Sequence, residues 1–238
     1  MYASKIDESD IVIRILRSNR KSVMGKVLPD SSIEVRAPIA VTTEEVRKFL
    51  DKFEPKFLPL VTQCRKMNAL VSEHPFGYGG EILYKGEWTP IKVAEDSNNG
   101  FMVLYRDGVF TMLPGMSDER MRMFVESYLT DRAILAFEKK LHHYADIMGV
   151  WCKQWTVGNA RKTHGSCDSN GKITLSWRII MMPESVIEYI IVHELAHLKH
   201  MNHSAAFKSE VAAVLPDWKE RQKAHGEYGL MLRCGGWI

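Results

Sequence analysis

Residues 11–16, IVIRIL, are apolar and β-branched, and Ile33–Pro38 has the same character after the turn residues Pro29, Asp30 and Ser31. The chain is therefore expected to open as two short strands. Thr42-Thr-Glu-Glu45 has the form of a capping box, and Val46, Phe49, Leu50 and Phe53 then recur at helical spacing up to Pro55, where the helix is expected to stop. From Gly77 to Gly115, glycines alternate with the short apolar runs EILY, FMVLY and VFTML. This predicts a meander of hairpins turning at Lys85-Gly86, Asn98-Asn99-Gly100 and Asp107-Gly108.

Past Pro114-Gly115 the period changes. Ser117 reads as an N-cap with acids behind it, and Met121, Phe124, Tyr128, Leu135 and Leu141 keep a helical rhythm as far as Gly149, as one long helix or a broken pair. Ile173, Leu175, Trp177 and Ile179 alternate with Thr174, Ser176 and Arg178, which predicts a half-buried strand over 172–180. Pro183 then opens a helix carrying Ile187, Ile190, Ile191 and Leu195. The pattern as a whole is that of an α+β protein. A β-rich N-terminal region with one helix spans residues 1–115, and a second region spans 116–238.

Composition narrows the class. At 238 residues, 45% apolar and 26% charged, the chain can bury a real core and is neither largely disordered nor collagen-like. Subtracting 29 acids from 32 bases leaves +3, too little to imply nucleic-acid or membrane binding by charge alone. The one local excess lies between Ile11 and Leu28, where Arg14, Arg17, Arg20, Lys21 and Lys26 stand without an acid. It reads either as a solvated strand face that discourages edge pairing or as an anion-binding surface. Cys64, Cys152, Cys167 and Cys234 form no C-x-x-C pair, which argues against a disulfide framework and a cysteine zinc cluster. The N-terminus has no apolar h-region and no apolar run approaches about 18 residues, so a cytoplasmic protein without a membrane partner is expected.

The chemistry concentrates in His193-Glu-Leu-Ala-His197, an H-E-x-x-H motif on the helix after Pro183. Residues four apart on a helix lie about 40° apart around its axis, so both imidazoles can reach one ion. Glu194, one position round, can take a proton from a water at that ion. Neutral imidazoles suit Zn2+, and catalytic zinc takes a third protein ligand while keeping one position open. Three residues compete for that place. His203 follows His197 by six residues, and because a continuous helix would carry it about 9 Å along the axis, the chain must turn back. Met201-Asn202 can supply the turn through a left-handed Asn, and Ser204 can cap a following helix, Ala205 to Leu215, ended by Pro216. Glu210 would complete a two-histidine and glutamate site. His200 is better read as a histidine supporting the site from the last turn.

The sequence resembles the YgjP-like metallopeptidase family, whose relatives are the SprT and WLM zinc proteases. The likeness rests on Arg161-Lys-Thr-His-Gly-Ser-Cys-Asp168, Gly171-Lys-Ile-Thr-Leu-Ser-Trp-Arg-Ile-Ile180, Pro183, and Val192-His-Glu-Leu-Ala-His-Leu-Lys-His-Met-Asn-His-Ser204 with Phe207. It extends more weakly to Arg17–Ser22 and the helix after Thr42. The resemblance implies a zincin-like C-terminal core with the H-E-x-x-H helix as an active-site helix beside a short sheet. It also implies His193, His197 and His203 as zinc ligands and Glu194 as the catalytic acid/base. Two positions depart from the family: His164 where Trp is usual, and Ser176 where Asn is usual.

The function expected is that of a zinc-dependent hydrolase, a metallopeptidase, acting on a peptide or protein that could lie along 172–180 by β-augmentation. Tyr189, His200, Tyr228 and Arg161 have chemistry suited to an oxyanion partner. Cys167 reads as a small buried residue. Because the motif does not encode the electrophile, a nucleoside triphosphate phosphohydrolase is an alternative, with the Arg14 to Lys26 segment or Arg161-Lys162 holding phosphates. A DNA-associated SprT-like protease or scaffold is another, against which the small net charge and the lack of a basic tail count.

Overall fold

A computed structural model describes residues 10–95 and 101–238. The fold is α+β, with sheets leading the chain and helices closing it. It divides into two compact units, the described residues up to Glu73 with Leu230–Gly236, and His74–Gly229 with Trp237–Ile238. No helix among the described residues is long and apolar enough to cross a membrane.

In the first unit, β1 (Ile13–Ser18), β2 (Met24–Val27) and β3 (Ile33–Pro38) form a sheet in the order β1-β3-β2. β3 lies parallel to β1 and antiparallel to β2. Its alternate residues Ile33, Val35 and Ala37 join a core with Val46, Leu50, Phe57 and Val61 of α1 (Thr43–Ser72). The capping box forms as expected: the Thr42 hydroxyl accepts from the Glu45 N–H, and the Glu45 carboxylate accepts from the Thr42 N–H.

The expected stop at Pro55 is overturned, because α1 runs through Pro55 and Pro59 to Ser72. A proline inside a helix costs about 3 kcal/mol. Here both rings are exposed, as is Asp51, so the Asp51 and Pro55 carbonyls that lose their partners to the missing N–H groups stand at residues open to water. Beyond Pro55, Phe57, Val61 and Cys64 are buried. At about 1.5–3 kcal/mol for each large apolar side chain, that burial is of the same order as the penalty. The basic excess of this unit is largely engaged. Arg14 pairs with Asp30 at 2.6 Å, Lys26 with Glu34 at 3.2 Å, and Arg17 donates to the carbonyls of Pro38 and Val41.

The second unit begins with β4 (Glu81–Tyr84), β5 (Glu87–Val93), β6 (Val103–Arg106) and β7 (Val109–Met112). Lys85-Gly86 and Asp107-Gly108 close the two hairpins with all four residues at positive φ, the conformation that two-residue hairpin turns demand. The turn expected at Asn98-Asn99-Gly100 lies outside the described residues. The strands are not a meander, for their order is β4-β5-β7-β6 with β5 parallel to β7. β7 buries Phe110 and Met112 and takes the inner place, while β6 buries only Val103 and takes the edge.

α2 (Asp118–Met148) is one unbroken helix, capped by the Ser117 hydroxyl and closed by Gly149 in the left-handed conformation. β8 (Gln154–Gly158), β9 (Gly165–Cys167) and β10 (Lys172–Ser176) form a sheet in the order β8-β10-β9. The strand expected to reach Ile180 ends at Ser176, and Trp177–Met181 is a 3-10 helix. The alternation fails at Arg178, which is 1% exposed rather than solvated. Its guanidinium lies over the Trp177 ring and donates to Asn159 Oδ1 at 2.6 Å and to the Trp237 carbonyl.

α3 (Glu184–Ala196), α4 (Ala205–Val214) and α5 (Trp218–Cys234) complete the chain. α3 is buried on nearly every side. Lys140 of α2 and Arg221 of α5 converge on its Glu188 at 3.1 and 2.8 Å, and Lys140 also meets Glu184. These pairs fix the first half of α3 and so the direction in which its end points.

Candidate metal centre

His193 and Glu194 occupy the last turn of α3, and His197 is its C-cap. The chain then tightens. Leu198 N–H bonds to the Leu195 carbonyl and Lys199 N–H to the Ala196 carbonyl. The reversal is therefore made early, and Asn202 is not left-handed, contrary to the expectation for Met201-Asn202. Ser204 caps α4 by accepting from the Phe207 N–H at 3.4 Å.

This path returns His203 to the end of α3, with its Nε2 3.0 Å from His193 Nε2. One ring nitrogen from each of His193, His197 and His203 lies within 4.8 Å of the others. The Phe207 ring supports all three, its centroid 4.9, 4.6 and 4.8 Å from theirs. Two of the imidazoles are oriented from behind. His197 Nδ1 donates to the His200 carbonyl at 3.0 Å, and the Tyr189 hydroxyl lies 3.5 Å from His193 Nδ1. A ring whose Nδ1 carries the proton presents its Nε2 lone pair, the arrangement that metal-ligating histidines adopt.

The electrostatics suit a cation. Burial, reinforced by the neighbouring imidazoles, pushes His193 down to about 4, and burial also lowers His197. Both rings are then neutral near pH 7 and can donate lone pairs, so the donor set fits zinc by number and by chemistry. Glu194 is 6% exposed, and burial raises it to about 7. A cation held by the histidines would act in the opposite direction and favour the carboxylate. Gly165 of β9 makes this packing possible: a Cβ there would stand 2.5 Å from Glu194 Oε1.

A family model of YgjP-like metallopeptidase domains matches residues 21–224. The chain belongs to this family. Among solved structures, the metallopeptidase zymogen abylysin of Pyrococcus abyssi is similar at 32% identity, over 36% of this chain and 88% of that one, with a TM-score of 0.34. No curated protein matches.

Within this YgjP-like domain the other candidates fall away from the cluster. Glu210 pairs with Lys199 at 2.6 Å, and Lys199 also donates to the Met148 carbonyl. His200 contributes its backbone carbonyl. Of the residues with oxyanion chemistry, Tyr189 lies on the Nδ1 side of His193, Tyr228 donates to the Gly86 carbonyl at 3.2 Å, and Arg161 is exposed. Burial, with Glu194 beside it, raises the Cys167 thiol to about 11, so it is protonated and inert near neutrality.

β10 is paired on both sides and has no edge to offer a peptide, while β9 is an edge strand. One residue escaped the sequence reading. His225 of α5 has its Nε2 2.6 Å from His164 Nδ1. His164 was marked by its departure from the family, but a single histidine in a polar helix that was itself unpredicted carries no signal. The second departure is joined to the first, as the Ser176 N–H donates to the His164 carbonyl at 2.8 Å and its hydroxyl to the Ala160 carbonyl at 3.0 Å.

Proposed function

We propose that this domain is a zinc-dependent hydrolase working as a metallopeptidase, with residues 116–238 as its zincin-like catalytic region and α3 as the active-site helix. The observation that carries the reading is the approach of three imidazole nitrogens to within 4.8 Å beside the buried carboxylate of Glu194. His193, His197 and His203 would hold the ion, and three protein ligands are the number that catalytic zinc sites use. Zinc, when bound, supplies the Lewis acidity that polarises a carbonyl and makes water a nucleophile near neutral pH.

Glu194 takes the proton from the attacking water and delivers it to the leaving amine. Gly165 leaves the room on the β9 side that this carboxylate fills. An extended substrate pairs with the outer edge of β9. A triphosphate finds less support in the Arg14 to Lys26 segment, where Arg14 and Lys26 are already paired with Asp30 and Glu34.

The test is to offer the purified, zinc-loaded protein casein, a peptide mixture and nucleoside triphosphates, with Glu194→Gln as the blank. Peptide cleavage that disappears in the blank is the expected result. Hydrolysis of triphosphates alone would overturn the reading.

A further inference from the structure

Beside the three histidines, on the side of α4 and α5, lies a cavity of about 120 Å³. His193 and His203 line it together with Tyr189, Phe207, Val211 and Trp218, and Lys208 and Gln222 border it as well. Phe207 and Val211 are one turn apart on α4 and both buried, so they present one apolar face, whereas Lys208 and Gln222 are exposed. The buried part of the lining is therefore Tyr189, Phe207 and Val211, and its exposed margin is His203, Lys208 and Gln222. A pocket of this kind, mostly apolar with a few polar groups at its margin, is the ordinary form of a small-ligand site.

We infer that this cavity is a specificity pocket that receives an aliphatic side chain, of the size of Leu, Ile or Met, from the residue flanking the scissile bond. The inference rests on the peptidase reading of the adjoining histidines. Size sets the upper limit. A cavity of about 150 Å³ lined by apolar side chains accepts benzene, so this smaller one takes a branched or flexible chain of about four heavy atoms and refuses an indole.

Polarity decides between an aliphatic and an acidic occupant. A carboxylate drawn toward Lys208 would leave water to sit against Phe207, Val211 and Trp218, and a buried charge without a close partner is disfavoured. Lys208 is exposed, so its attraction is screened. An aliphatic chain gives up no hydrogen bond on entering and passes the charged rim untouched. Hydrophobic pockets distinguish substrates by about 10- to 200-fold for each methylene gained or lost. Leu is thus expected to exceed Ala at this position by at least about tenfold in kcat/KM.

The experiment is a peptide library randomised around the cleavage point, digested by the zinc-loaded full chain and by two variants that alter the cavity in opposite senses. Enrichment of Leu, Ile and Met at one flanking position is expected in the unaltered protein. Val211→Ala should move the preference toward Phe, and Val211→Phe toward Ala and Gly. Because Val211→Phe is a core substitution that can fail to fold, Val211→Ala carries the test alone if it does. Cleavage that needs Glu194 but enriches no residue, or enriches Asp and Glu, overturns the pocket and leaves the peptidase reading standing.

A binding measurement separates the two readings if no peptide is cut. The indole N–H signal of Trp218 can be picked out of the six tryptophans as the one lost in Trp218→Phe, and the protein titrated with N-acetyl-leucine amide or N-acetyl-glycine amide. A shift with the leucine compound, absent with the glycine one, supports the pocket without any turnover. No difference between them overturns it.

Discussion

α1 and α3 both bury apolar side chains, and they handle their exceptions in opposite ways. α1 runs for 30 residues with five buried side chains, and its two prolines sit on the exposed side, where water can reach the carbonyls they orphan. α3 has 13 residues, nine of them buried, and no exposed face on which to place a misfit. Its polar residues are individually met: Glu188 by Lys140 and Arg221, Tyr189 by His193, and His193 by His203, while the Glu194 side chain fills the space that Gly165 leaves by having no Cβ. A helix surrounded by solvent tolerates local rule-breaking cheaply, whereas a polar group in a buried helix costs free energy unless something is built to meet it. Polar residues on α3 therefore announce a task, and the lesson can be tested residue by residue.

The largest effect is expected at the proposed ligands. His203→Ala leaves two protein ligands where catalytic zinc sites use three, and zinc affinity in competition with a chelator should fall by orders of magnitude. Glu210→Ala, which removes only the partner of Lys199, should bind zinc normally. The reverse outcome would move the site onto Glu210.

Next in size is the separation of binding from rate. Glu194→Gln should keep the metal and lose at least about 100-fold in turnover, the lower end of what general-base catalysis contributes. Gly165→Ala probes the same group from the other side, since the added Cβ and Glu194 Oε1 cannot both stay where they are. It too should retain zinc while losing at least about tenfold in turnover, as displaced catalytic groups do. Zinc content and peptide hydrolysis measured on the same samples decide both.

Stability sharpens the contrast between the two helices. Glu188→Gln breaks a half-buried network and should cost about 2 kcal/mol, between the limits for exposed and buried pairs. Burial works to raise the Glu188 carboxyl, but hydrogen bonds from Arg221 and Lys140 hold it below its ordinary value of 4.5. Its contribution is thus complete above about pH 4.5 and is lost as the pH falls through the depressed value of the folded chain. Urea titrations of both proteins should therefore differ widely at pH 7 and draw together as the pH is lowered below about 4.5. Pro55→Ala in α1 should instead raise stability by about 1 kcal/mol. It removes a helix penalty near 3 kcal/mol, less the unfolded-chain entropy that proline takes away and the share that solvation already relieves.

The same contrast explains what could be read from the sequence. The H-E-x-x-H spacing, the cap at Ser204 and the two glycine hairpins were legible because each depends on local geometry alone. The continuation of α1 past Pro55 depends on what Phe57 and Val61 meet in β3, and the end of β10 at Ser176 depends on a buried partner for Arg178. α5 was missed because polar residues and the internal Gly226 and Gly229 obscure its period, and His225 was missed with it. Periodicity reports which residues are apolar, and it is silent where a charged one is buried or a proline is forgiven.

The smallest expected effect is the most discriminating for His200. From spacing alone its imidazole reads as a support to the site, and removing such a support typically costs 10- to 100-fold in metal affinity. The support is real, but it comes from the backbone: the His200 carbonyl accepts from His197 Nδ1 at 3.0 Å. A carbonyl survives substitution of its side chain. His200→Ala should therefore bind zinc within about threefold of the unaltered protein, well below the loss expected of a side-chain partner. The tie that matters is made through the turn that positions that carbonyl, whose bonds run from Leu198 N–H to Leu195 and from Lys199 N–H to Ala196. Lys199→Pro removes one of those donors while sparing every side chain in the cluster, and it should weaken zinc by the 10- to 100-fold that the imidazole of His200 does not account for. A large loss in His200→Ala with none in Lys199→Pro would return the role to the imidazole.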